Sequence, residues 1–127
     1  MNPYLVINNN YVDQSEIKIS QNKLITSHAG TCSLILFSLQ DINFLAHIDA
    51  MYNNQKQIIK KINENFSIKD LKDIDIFVVP GEWCKTNCIT LNIIKNSLKE
   101  LDLNYKIINN IEWKKSISIN KGSININ

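Results

Sequence analysis

Cys32-Ser33-Leu34-Ile35-Leu36-Phe37-Ser38-Leu39 is nearly all apolar. A run that short and that continuous reads as a strand buried on both faces, at the centre of a sheet. Gln40-Asp41-Ile42-Asn43 follows as a turn, and Phe44-Leu45-Ala46-His47-Ile48 returns antiparallel to the first strand. A hairpin centred on that turn sets Cys32, at the start of one strand, beside His47 to Ala50, at the end of the other.

Outward from this hairpin the pattern alternates between strand and helix periods. Upstream, Tyr4–Ile7, Glu16–Ile19 and Lys23–Thr26 read as strands. Downstream, Met51, Gln55, Ile58, Ile59, Ile62 and Phe66 recur at helical spacing, an amphipathic helix for one face of the sheet. Ile74–Val79 is a further buried strand, stopped by Pro80-Gly81, and a second amphipathic helix is expected over Thr86–Leu101. Tyr105–Ile108, Ser116–Ile119 and Ser123–Ile126 complete the strands, the last two joined at Asn120-Lys121-Gly122. Several strands, a helix, a strand, a helix and more strands predict an α+β fold: a mainly antiparallel or mixed, sandwich-like sheet with two amphipathic helices.

Composition narrows the function classes. At 127 residues the chain is expected to be one domain, residues 1–127, and 44% hydrophobic with 20% charged is ordinary for a globular protein. The net charge is +2, and all 14 basic residues are lysines scattered along the chain. Without arginine there is no planar fork for bidentate phosphate or base recognition, so nucleic acid is not an expected partner. No apolar run approaches the length of a membrane span, so no membrane partner is expected. Met1 to Asn10 lacks a basic region followed by an apolar stretch. The expectation is a cytoplasmic protein, with export by a non-Sec route left open. Three cysteines, an odd number, argue for reduced thiols rather than a disulfide framework.

The chemistry-bearing stretch is Ile25-Thr26-Ser27-His28-Ala29-Gly30-Thr31-Cys32, a small polar loop that delivers a cysteine to the start of an apolar strand. Gly30 lets another backbone approach closely, and amide N–H groups of such a loop, around Thr31 and Cys32, suit an oxyanion. His47 on the neighbouring strand is the candidate partner: a Cys–His pair at hydrogen-bond range shares a proton and makes thiolate available near neutral pH. The Thr26 hydroxyl is placed to orient the imidazole, the third member of a triad-like set. Taken alone, the same Cys and His also suit a packed thiol and a core histidine.

Thr26, then Gly30-Thr31-Cys32, an apolar strand and Ala46-His47 resemble the motif of CheD, the chemoreceptor glutamine deamidase. In that family a threonine lies six residues before the cysteine of a Gly-Ser-Cys motif and the histidine sits on the next strand. The stretch is also similar to the protein N-terminal asparagine amidohydrolases, in which Thr-Cys opens the strand and a His-x-Asp motif closes the hairpin, as His47-Ile48-Asp49 does here. The order of helix, strand, helix and closing hairpin extends the likeness over Lys23 to Ile126. Two departures stand out: Gly-Ser-Cys is here Gly30-Thr31-Cys32, and the family's glycine pair is Pro80-Gly81, where Pro80 has no N–H to offer a substrate. The resemblance implies a CheD-like fold, Cys32 as nucleophile, His47 as general base and acid, Thr26 as its orienting group, and no cofactor.

The implied activity is deamidation of a side-chain carboxamide of a protein substrate, glutamine first and asparagine second, through a thioester with release of ammonia. Two alternatives are an N-terminal asparagine amidohydrolase and a non-catalytic interaction module that keeps the fold. Candidate substrate-binding residues are Asp49, on the same strand face as His47, and His28, in the polar loop. Glu82 and Trp83, after a buried strand, join them. Each also has a plainer reading as a solvated or packing residue. Cys84 and Cys88, four apart at a helix start, do not have zinc-knuckle spacing, so no metal is expected.

Overall fold

The computed structural model describes residues 10–84 and 88–127. The expected strand at Tyr4–Ile7 and the expected helix start at Thr86 lie outside them. Among the described residues eight strands run in chain order with three helices: β1 (Ile17–Ser20), β2 (Leu24–Ser27), β3 (Ser33–Leu39), β4 (Ile42–Ile48), α1 (Gln55–Asn65), α2 (Ile68–Leu71), β5 (Ile76–Val79), α3 (Ile89–Glu100), β6 (Lys106–Ile107), β7 (Ser116–Asn120) and β8 (Ser123–Ile126). They form a five-stranded mixed sheet in the order β1-β4-β3-β5-β6 and a three-stranded antiparallel sheet in the order β2-β7-β8. The protein is α+β, as its alternation of apolar patterns predicts.

The apolar run is the centre of the larger sheet because both its faces are covered. Ile35 and Phe37 of β3, with Phe44, Ala46 and Ile48 of β4, face the helices and meet Ile58 and Ile62 of α1 and Ile94 and Leu98 of α3. Phe37 stacks on Phe44 at 4.6 Å between centroids, and Phe66 closes on both rings edge-on. The alternate residues Leu34, Leu36 and Leu45 face the smaller sheet and pack with Leu24 of β2 and Ile117 and Ile119 of β7. The molecule thus stacks helices on the five-stranded sheet and that sheet on the three-stranded one. His47 lies on the inter-sheet face of β4, opposite Leu34.

Several boundaries differ from the sequence reading for local reasons. The β3–β4 loop is Gln40–Asp41, with Leu39 opposite Ile42 and Gln40 at φ 55°, so the hairpin is centred one residue earlier than expected. Cys32 stops just short of β3. The first helix does not begin at Met51, which is exposed; Asn54 caps it, accepting from the Gln57 N–H through its side chain. Cys88 is the N-cap of α3, its sulfur accepting from the Leu91 N–H, so Cys84 and Cys88 do not share a helix face. The closing hairpin has the two-residue loop Lys121–Gly122 with φ of 50° and 82°, the doubly left-handed turn that suits strand twist.

Candidate functional site

Both sheets contribute to one polar cluster at the edge of the inter-sheet core. Thr26, fully buried on β2, faces His47 on β4. Its hydroxyl donates to the Val12 carbonyl at 2.6 Å and lies 2.8 Å from His47 Nδ1. A hydroxyl has one proton, and here it is committed to Val12, so Oγ1 accepts from a protonated Nδ1. That fixes the neutral tautomer and leaves Nε2 as an acceptor. Nε2 is buried and has no hydrogen-bond partner among the described residues. The backbone of His47 is held as well: its N–H donates to the Glu16 carbonyl and its carbonyl accepts from the Ser15 N–H.

Cys32 lies on the same face as His47. The β3–β4 register sets Leu34 opposite His47 and Ser33 opposite Ile48. One step further puts Cys32 opposite Asp49 and diagonal to His47, a relation in which α-carbons stand roughly 7–8 Å apart. No hydrogen bond joins Cys32 to His47 in this structure, whereas the sequence reading has the two sharing a proton. Cys32 is the free cysteine, 3% exposed, and it opens on a cleft of about 600 Å³ with Thr31, Asp49, Met51, Trp83 and Ile89 among its lining.

The electrostatics describe a resting pair with both partners neutral. Burial, reinforced by the nearby Asp49 carboxylate, pushes the Cys32 thiol up from its ordinary value, against a smaller opposing effect of the Thr31 side chain. Burial, with the neighbouring His28 adding to it, pulls His47 down to about 4 despite the opposing pull of Asp13 and Asp49. His28 is also lowered, by burial first, while the Pro80 carbonyl, Glu82 and the Ile111 carbonyl act the other way. Burial and Asp49 thus both work against the thiolate near neutral pH anticipated from the sequence.

The loop carrying Cys32 is locked from behind. A Cβ on Gly30 would lie inside the Trp83 ring, and one on Gly81 would stand 2.6 Å from the Cys32 carbonyl oxygen, so both positions need the smallest residue. The Trp83 N–H donates to the Gly30 carbonyl at 2.8 Å. Thr90, in the first turn of α3, donates to the Thr31 carbonyl at 2.8 Å and meets Ser33 Oγ at 2.9 Å; Gly81 N–H donates to the same Ser33 Oγ. Among the described residues the N–H groups of Thr31 and Cys32 have no acceptor, the condition an oxyanion site requires.

The other sequence candidates fall around two openings. Cys32 and Asp49 line the first cleft; His28, Gly30 and His47 line a second of about 630 Å³; Thr31, Gln14 and Trp83 are common to both. Glu82 lines a smaller neighbouring cleft of about 300 Å³, and its carboxylate accepts from the Trp113 N–H. His28 is buried, with neither ring nitrogen hydrogen-bonded among the described residues.

Ser33, Thr90, Gln14 and Asn53 were not anticipated. Ser33 carried a signal, a hydroxyl beginning an otherwise apolar strand. Asn53, whose side chain accepts from Asp49 N–H and donates to the Ser15 carbonyl, tethers the end of β4, and nothing local announces that. Cys84 and Cys88 meet at the rim of the first cleft, their α-carbons 5.0 Å apart. Among the described residues no group of three or more His, Cys, Asp or Glu could hold a metal ion, and no helix is long and apolar enough to cross a membrane. In comparisons with protein-family models and with curated proteins, the chain matches none.

Proposed function

We propose that the chain is a cysteine-dependent amidohydrolase that deamidates a side-chain carboxamide of a protein substrate, glutamine in the first instance. The observation that carries this reading is the buried Thr26–His47 hydrogen bond, which leaves Nε2 an unpartnered base diagonal to a free cysteine at the base of a cleft. In the proposed reaction, His47 Nε2 takes the Cys32 proton as sulfur attacks the carbonyl carbon. The N–H groups of Thr31 and Cys32 hold the developing oxyanion. The carbon–nitrogen bond then breaks, and the imidazolium gives its proton to the departing nitrogen, so that ammonia leaves. Water, deprotonated by the neutral imidazole, attacks the thioester, restoring the thiol and releasing the carboxylic acid. One water is consumed and one ammonia formed.

A specific observation supports N-terminal asparagine as a second substrate reading: Asp49 lines the Cys32 cleft and forms no ion pair among the described residues, a fit for a free α-ammonium group. Ammonia release from a peptide with internal glutamine, one with N-terminal asparagine and the acetylated form of the latter tests both readings. Internal glutamine deamidation independent of any free amine supports the first; activity lost on acetylation supports the second. Ammonia released at the wild-type rate by Cys32→Ala overturns the mechanism. No release from any substrate leaves a binding module that keeps the fold.

A further inference from the structure

Four of the seven large apolar side chains exposed among the described residues surround the candidate site. Met51 (82% exposed), Trp83 (62%) and Ile89 (65%) rim the Cys32 cleft, and Trp113 (46%) stands 6.3 Å from Trp83 on the rim of the second. Scattered exposed apolar residues are ordinary; gathered around a buried nucleophile they form a platform for a partner.

The charge around this platform is opposite to that of the chain. The protein carries 14 lysines against 12 acids, yet among the described residues the three adjoining clefts are lined by Asp13, Asp49, Glu82 and Glu112 and by one cation, Lys114. Lys114 is turned onto the Trp113 ring, 4.1 Å from its centroid. None of the four carboxylates is in an ion pair among the described residues; the four pairs found lie elsewhere. Asp49 and Glu82 spend one oxygen each on the N–H groups of Met51 and Trp113, which holds them in place.

We infer that this surface docks a segment of another protein that carries apolar residues flanked by lysine or arginine side chains. As a substrate class the inference rests on the deamidase reading; as a docking surface it is read by binding alone. It also gives Asp49 a role in the reaction. A cation docked beside that carboxylate offsets its hold on the Cys32 proton, so binding prepares the nucleophile. A segment flanked by acids meets four like charges and does neither.

The only two tryptophans, Trp83 and Trp113, both lie on the platform, so intrinsic fluorescence reports this surface and no other. The full chain is titrated with blocked peptides: acetyl-Lys-Leu-Gln-Leu-Lys amide, its Glu-flanked counterpart, and the Lys-flanked peptide with serines in place of leucines. At about 50 mM salt the Lys-flanked apolar peptide is expected to bind about tenfold tighter than the Glu-flanked one, and the advantage shrinks at about 500 mM. The serine peptide binds at least about fivefold more weakly. In the isosteric double variant Asp49→Asn, Glu82→Gln, whose amide oxygens keep both hydrogen bonds, the charge preference falls to about twofold or less. Equal binding of the two charged peptides, or no fluorescence change with any, overturns the inference. So does a self-association that alters the fluorescence without peptide, since a second copy would then cover the platform. These results need no turnover, so a protein that docks the peptide but releases no ammonia refutes the proposed activity and leaves the surface standing.

Discussion

Thr26→Val is the sharpest perturbation of the candidate site, because valine keeps the shape and removes only the hydroxyl. Two bonds disappear: the donation to the Val12 carbonyl at 2.6 Å and the acceptance from His47 Nδ1–H at 2.8 Å. Thr26 is 0% exposed and His47 is 2% exposed, so water is poorly placed to replace either. A buried polar group left without its partner costs about 1–3 kcal/mol. Two such groups, less the gain of about 1 kcal/mol from an extra buried methyl, give a net loss of about 1–5 kcal/mol. For a chain of this size each kcal/mol moves the melting temperature by roughly 4 °C, so a fall of about 4–20 °C is expected. Thermal unfolding followed by circular dichroism at neutral pH measures it, and nitrogen-15 NMR of the histidine rings reports the tautomer. Thr26→Val should lose the fixed Nδ1–H form of His47. Thr26→Ser, which keeps the hydroxyl, should retain it at a cost of about 1 kcal/mol. A Thr26→Val protein that melts within about 3 °C of wild type, with the His47 resonances unchanged, refutes the proton assignment and the orienting role built on it.

The pH dependence of stability follows from the same residue. His47 titrates at about 4 in the folded protein, below its ordinary 6.5, so the unfolded chain takes up a proton first as pH falls. Stability is full above pH 6.5 and declines towards pH 4, by about 2–3 kcal/mol at pH 4.5. Urea unfolding at several pH values should show this decline, reduced in His47→Gln. Gly30→Ala must displace the Trp83 ring; a shift in tryptophan emission and a loss of about 1–3 kcal/mol are expected, and unchanged emission would contradict the packing. Phe37→Ala, which removes the ring stacked on Phe44 and met edge-on by Phe66, should cost about 3–5 kcal/mol in chemical unfolding. Without a partner, Cys32 should alkylate with a titration above that of the same cysteine in the urea-unfolded chain, since burial and Asp49 both raise it; a midpoint below that reference would show an ion pair with His47.

What the sequence disclosed, and what it hid, divides along the range of the interactions. The β3–β4 hairpin was legible because Leu34, Leu36 and Leu45 must face one core and Ile35, Phe37 and Phe44 another, which writes a continuous apolar run. Lys121-Gly122 announced its turn through local backbone demands. The second sheet was not legible as a separate layer. It pairs Leu24 with Ile119 and Ser27 with Ser116, two short strands with no turn between them to set the register. The site shows the same contrast. That Cys32 and His47 lie at adjoining strand ends was legible from one hairpin. The Thr90–Ser33–Thr31 contacts, the Asn53 tether of β4 and the Gly81 contact with the Cys32 carbonyl each join residues far apart in the chain. No local pattern encodes them.

The sequence also suggested an activated thiolate, and the forces that oppose it bear on mechanism. A thiolate–imidazolium pair gains energy only if two separated charges are cheaper than two neutral groups, and burial penalises both charges at once. Asp49 faces each member with opposite effect: it favours imidazolium at His47 and disfavours thiolate at Cys32. In the proposed reaction the pair is then a protonated thiol and a base whose acceptor nitrogen is held ready by Thr26. Such a pair must transfer its proton during attack rather than before it, in the manner of a hydroxyl nucleophile and its histidine. Under the proposed function a disulfide-forming or alkylating small molecule finds little thiolate, while a docked substrate brings both the carboxamide and the compensating cation. Under the proposed function, selectivity for protein substrates lies in the activation of the nucleophile as much as in the fit of the cleft.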